Sequence, residues 1–225
     1  MKYNESSKIK NIRLANTKHT IDLIKSKIQY EMERPNYSGP STVSEYIETH
    51  LFSLTVSTRS LSKPVTIHKA QETLKARFST LYAEQIRLWG IENTKLNKRN
   101  AHLQPLVITF FDVEGSRHSQ AATTATMPHY HGVILIHHDA IHEFLRHLTR
   151  NQLDGTYGMS KPSSHFSSIY LQPLPTFADA ERFLGYSAKY TKHNADTNNN
   201  YNLTGYYPEK SKYFPFYEYV KNQKN

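Results

Sequence analysis

The chain has 225 residues, ample for one domain with a real core, and no cysteine, which excludes a disulfide framework, thiol catalysis and thiolate zinc sites. Its 28 Lys and Arg outnumber 19 Asp and Glu, giving a net charge of +9 that favours a polyanionic partner through counterion release, and 16 Tyr with 10 Phe supply rings for base stacking. Apolar runs fall far short of the roughly 20 residues needed to cross a bilayer, and MKYNESSKIKNIR has no apolar leader core, so a soluble, cytoplasmic protein is expected. Residues 1–48 are polar and basic, with a helical segment at KHTIDLIKSKIQYEM before the turn-rich RPNYSGPS, and read as an N-terminal helical extension with a linker. In LFSLTVST, Phe52, Leu54 and Val56 alternate with Ser53, Thr55 and Ser57, the pattern of a half-buried strand. IHKAQETLKARFSTLYAEQIRLWGI carries apolar residues at helical spacing and predicts a long helix over that sheet.

PLVITFFDVEGS reads as a second strand and PHYHGVILI as a third, the two joined by RHSQAATTATM into an antiparallel hairpin. DAIHEFLRHLTR, with Asp139 as N-cap, predicts a helix. SSIYLQPLP predicts a further strand, and TFADAERFLGYSAKYTKH, capped by Thr176, another helix. The order β, α, β, β, α, β, α favours an α+β domain over 49–195, ferredoxin-like or RRM-like in shape. It has a central antiparallel sheet and helices on one face, leaving the other face for a site. Residues 196–225 form an aromatic, basic tail packed on or flanking that domain. There is no G-x-x-x-x-G-K-[ST] phosphate-binding loop, so nothing in the sequence suggests an attached ATPase or helicase domain.

Strand side chains alternate faces, so His129 and His131 share a patch while Tyr130 points away. In the preceding strand Asp112 and Glu114 share one face, and if it is the histidine face, a carboxylate meets two imidazoles across the hairpin. Such a mixed set leaves positions of an octahedral Mn²⁺ or Mg²⁺ open for phosphate oxygens and water. With 13 histidines, roughly one H-x-H pair arises by chance, and either carboxylate alone reads equally well as a solvated turn residue. In YSAKYTKH, Tyr186 and Tyr190 lie at i and i+4 on one helix face beside Lys189, a spacing that core aromatics also adopt.

The combination resembles the HUH (histidine, hydrophobe, histidine) endonucleases, the tyrosine nucleases of rolling-circle replication initiators, relaxases and related transposases. PHYHGVILI is similar to their two-histidine strand motif, YSAKYTK to their nucleophile helix, and LFSLT to their first strand motif, over residues 51–193. A second tyrosine four residues after the first makes the two-tyrosine initiators of phages and plasmids the nearest likeness. The resemblance implies His129, His131 and Glu114 as ligands of Mn²⁺ or Mg²⁺, with Glu114 fitting the third position better than Asp112. It implies Tyr186 as nucleophile, Lys189 as its lysine and Tyr190 as the second tyrosine. The implied activity is site-specific nicking and joining of single-stranded DNA through a 5′-phosphotyrosine, at an origin sequence or hairpin, with a separate helicase supplied in trans. The basic segments KARF and KLNKRN are candidate grips for the strand. The competing readings are a non-catalytic RRM-like binder in which Tyr130 stacks bases, an HUH transposase or relaxase, and a metal hydrolase with a water nucleophile.

Overall fold

The computed structural model describes residues 7–59, 63–91, 95–113, 124–125, 127–187, 204–209 and 214–222. The chain opens with helix α1 (Ser7–Met32), whose Ile21, Ile24 and Ile28 recur at helical spacing and form one buried stripe. Helix α2 (Val43–His50) starts at a capping box: Thr42 Oγ1 accepts the Glu45 N–H at 3.2 Å, and the Glu45 carboxylate accepts the Thr42 N–H at 3.3 Å. Strands β1 (Leu51–Thr58) and β2 (Val65–Thr66) follow. Helix α3 (Ile67–Leu81) runs through a π turn (Tyr82–Ile86) into α4 (Arg87–Trp89), over the span whose periodicity predicts one long helix.

Next come β3 (Leu106–Asp112), β4 (Thr124–Ala125), β5 (His129–Leu135) and helix α5 (Ile141–Arg146). Asp139 does not cap α5; its backbone N–H instead donates to the His137 ring at 3.2 Å. Strands β6 (Thr149–Arg150), β7 (Tyr157–Ser160) and β8 (Phe166–Pro173) lead to α6 (Phe177–Ser187), where Thr176 Oγ1 accepts the Asp179 N–H as the expected cap. Strand β9 (Thr204–Tyr207) and helix α7 (Phe216–Asn222) end the described chain.

One antiparallel sheet takes the order β6-β7-β8-β1-β5-β3-β9. Its four long strands stand in the order fourth, first, third, second, compatible with a ferredoxin-like split βαβ arrangement. The expected hairpin forms, with β3 and β5 paired antiparallel from Leu106 opposite Leu135 to Asp112 opposite His129.

Helices cover both faces, against the expectation of one. Phe52, Leu54, Val56, Phe111, Tyr130 and Ile134 pack with α3, α4 and α5, while Leu51, Ile108, Phe110, Val133 and Leu135 pack with α1, α2, α6 and α7. The physical reason lies in the strands: β3 is buried along its whole length, and Ser53 sits inside with its hydroxyl donating to the Gln172 carbonyl at 3.4 Å. A strand buried on both sides loses the polar alternation that signals an open face. Segment 1–48, expected as an extension, thus supplies two helices to the second core, and Phe214 and Phe216 of the tail join it. Glycine at 132 is required by the same packing, because a Cβ there would lie 2.1 Å from the Ile108 carbonyl oxygen across the β3–β5 pair.

Candidate metal centre

The register places Asp112 opposite His129 and diagonal to His131, all on the face of the second core. Asp112 is 0% exposed, and its Oδ1 accepts the Val113 N–H at 2.9 Å, which turns Oδ2 toward the histidines. His129 Nε2 lies 3.5 Å and His131 Nε2 3.6 Å from that oxygen, with the imidazole planes nearly perpendicular at 88°. These three residues form a group able to hold a metal ion, as the sequence pattern anticipates for the two histidines.

The far side of each ring decides what the near side offers. His129 Nδ1 lies 3.1 Å from the Met127 carbonyl, which can only accept, so in the neutral ring the proton sits on Nδ1 and Nε2 turns a lone pair to Asp112. His131 Nδ1 lies 3.3 Å from Thr55 Oγ1, directly across the β1–β5 pair, which permits the same tautomer. Two lone pairs converging on a carboxylate oxygen repel unless a cation lies between them. Nitrogen and oxygen donors about 2.1 Å from a shared ion stand roughly 3.0–3.4 Å apart, close to the spacing here, so the residues fit a divalent ion.

Helix α6 brings the tyrosine. Its Ala180, Leu184 and Ser187 face the core, which leaves Tyr186 at the boundary, 39% exposed, with its ring 5.9 Å from that of His131. Phe183, one turn earlier, flanks the same imidazole at 6.4 Å. Tyr186 is thus an exposed phenol beside the histidines, where the spacing alone also allowed a core aromatic. Glu114, Lys189 and Tyr190 lie outside the described residues, so the carboxylate seen at the histidines is Asp112. Tyr130 cannot stack bases as the RRM-like reading requires: it is buried beneath α3 with its ring edge against Phe78 at 5.4 Å, and burial pushes its phenol pKa up.

A second histidine group, absent from the sequence reading, lies past the other end of β5. Glu31, His137 and His138, and likewise His102, His137 and Asp139, bring possible ligand atoms within 4.8 Å of one another. Here the chemistry runs the other way. Because His137 Nδ1 accepts the Asp139 N–H, its proton sits on Nε2, which points at Glu31 Oε2 3.7 Å away. Glu31 is already engaged by the Lys27 ammonium at 2.5 Å and by the Tyr46 hydroxyl. Burial lowers the pKa of His137 and of Lys27, so this end is a buried polar node joining α1 and α2 to the sheet. A cavity of about 440 Å³ beside it, lined by Tyr30, Arg34, Lys98 and His102 among others, shares no residue with the Asp112 group.

Among the described residues no helix is long and apolar enough to cross a membrane. No protein-family model, curated protein or solved structure matches the chain.

Proposed function

We propose that the protein is a divalent-metal-dependent endonuclease and strand transferase for single-stranded DNA, with Tyr186 as nucleophile. The observation that carries this reading is the exposed Tyr186 ring beside His131, next to an Asp112, His129 and His131 set in which both Nε2 atoms converge on one carboxylate oxygen. Asp112 takes the third-ligand position that the family resemblance gives to Glu114. An ion held by these three residues would neutralise charge on a scissile phosphate and polarise its oxygens.

The protein's own share is positional and nucleophilic. Met127 and Thr55 fix the imidazoles, and Asp112 supplies the negative charge that makes the site cation-selective. The Tyr186 phenolic oxygen attacks phosphorus, a phosphotyrosine bond forms as the bond to the 3′ oxygen breaks, and the phenol's proton passes by way of solvent or a nearby base to the departing 3′ hydroxyl. A phenol ionises only near pH ~10, so deprotonation must be assisted. Because the new phosphodiester keeps the energy of the old one, the reverse attack by a 3′ hydroxyl rejoins strands without ATP.

By resemblance, Lys189 assists this chemistry and Tyr190 makes a second cut. The biological setting that follows is initiation of rolling-circle replication with a helicase in trans, and transposase or relaxase use of the same chemistry is the alternative. The test is to mix the protein with Mn²⁺ and labelled single-stranded DNA and resolve the products on a denaturing gel. A protein-linked band that EDTA prevents is expected; cleavage with no linked band overturns the tyrosine mechanism.

A further inference from the structure

Among the described residues only two of the Tyr, Phe and Trp side chains are exposed, Tyr186 at 39% and Tyr170 at 41%, and both stand on the face that carries the Asp112 group. Tyr170 belongs to β8 and pairs directly with Thr55 of β1, which in turn pairs with His131 of β5. Directly paired residues of adjacent strands point to the same face, so Tyr170, Thr55 and His131 form one cross-strand row. At ~4.8 Å per strand, Tyr170 stands about 10 Å from His131.

On one side Tyr170 is bordered by small residues. Its other neighbour in the row is Gly158 of β7, and the adjacent row holds Ser160, Ser168 and Ser57. Tyr170 makes no side-chain hydrogen bond or ring contact among the described residues and belongs to neither core. A large ring that joins neither core is not explained by core packing. Met127, 40% exposed, adjoins the same site, its backbone carbonyl 3.1 Å from His129 Nδ1.

We infer that Tyr170 is a stacking platform for one base of a single strand whose phosphate reaches the Asp112 group, an inference that rests on the function proposed above. The occupant is a single strand because a base inside a duplex is already stacked on both faces, whereas an unpaired base presents a π-face that any aromatic can cover. The basic balance of the chain, +9 overall, matches that polyanion. The row then sets a direction for the strand, across β8, β1 and β5 rather than along them, with Tyr186 at one end and Tyr170 at the other.

The test uses the full chain, a fluorescent mixed-sequence single-stranded DNA, and the same strand annealed to its complement. Tyr170→Ala is expected to lose about tenfold or more in affinity for the single strand, Tyr170→Phe to keep it, and the duplex to bind all three proteins alike. Wild-type affinity in Tyr170→Ala overturns the inference, as does an equal loss in Tyr170→Phe, which would assign the effect to the hydroxyl. The two readings separate through the covalent adduct. An unaffected Tyr170→Ala in a protein whose wild type forms adduct removes only the platform, and a wild type that neither binds single strands nor forms adduct removes both.

Discussion

The two ends of strand β5 carry histidines of opposite character. At the start, His129 and His131 keep access to solvent, their Nδ1 atoms face a carbonyl and a hydroxyl, and their Nε2 atoms meet at Asp112. Past its end, His137 is buried, its Nδ1 accepts a backbone N–H, and its Nε2–H faces a carboxylate that a lysine and a tyrosine already hold. Both ends group histidines with carboxylates at metal-like separations. What separates them is the partner behind each ring: an acceptor there frees the front nitrogen for a cation, and a donor there turns the ring into a hydrogen-bonding strut.

The comparison breaks most cleanly if each end is disabled alone. Asp112→Asn keeps the oxygen that accepts the Val113 N–H but removes the charge, and it should abolish Mn²⁺ binding in calorimetry with little change in unfolding. Lys27→Met leaves Glu31 buried without its cation, so urea unfolding should show a loss of about 3–5 kcal/mol while Mn²⁺ stoichiometry stays the same. Metal binding that follows Lys27 rather than Asp112 would reverse the assignment of the two ends. A smaller change sharpens the role of the partner behind the ring. Thr55→Val keeps the β-branched shape, removes only the hydroxyl at His131 Nδ1, and should weaken Mn²⁺ binding by about 10- to 100-fold. Thr55→Ser should recover it, and equal binding by Thr55→Val would show that strand packing alone orients His131.

Local pattern reached the near end of β5 and not the far end. The H-x-H spacing and strand alternation place both imidazoles on one face, but they leave open whether the carboxylate face of β3 meets them, and the resemblance favours Glu114 over the Asp112 found opposite His129, because the long connection between the two strands does not fix their register. Pairing of β1 with β8 joins residues more than 100 positions apart, so neither Tyr170 beside Thr55 nor the burial of Ser53 has a local signal. The far cluster is equally invisible: Glu31 comes from α1, His137 from the residues after β5, and only the isoleucine stripe of α1 hints that this helix lies on the sheet. Thr55 belonged to an alternating polar face that the sequence displays, but which histidine it would meet depended on the fold.

The buried end also gives the smallest and most gradual effect, a pH dependence of stability. Burial lowers the pKa of His50 and His102 from 6.5 to about 4. In the unfolded chain they take up protons from about pH 6.5 downward, so between 6.5 and 4 the unfolded state binds more protons than the folded one. Their contribution is therefore fully present above about 6.5 and is lost as the pH falls toward 4. Urea midpoints should decline across that window, and His102→Gln should flatten the decline; a midpoint that rises on acidification contradicts the burial of neutral imidazoles.

The central claim is that Tyr186, not water, attacks the phosphate beside Asp112, His129 and His131. The most direct measurement is to digest the protein after reaction with Mn²⁺ and single-stranded DNA and to locate the nucleotide-bearing peptide by mass spectrometry. The account predicts a nucleotide on Tyr186, absent with EDTA and absent from Tyr186→Phe. Free DNA ends with no modified peptide, or a modified peptide that persists in Tyr186→Phe, would contradict it.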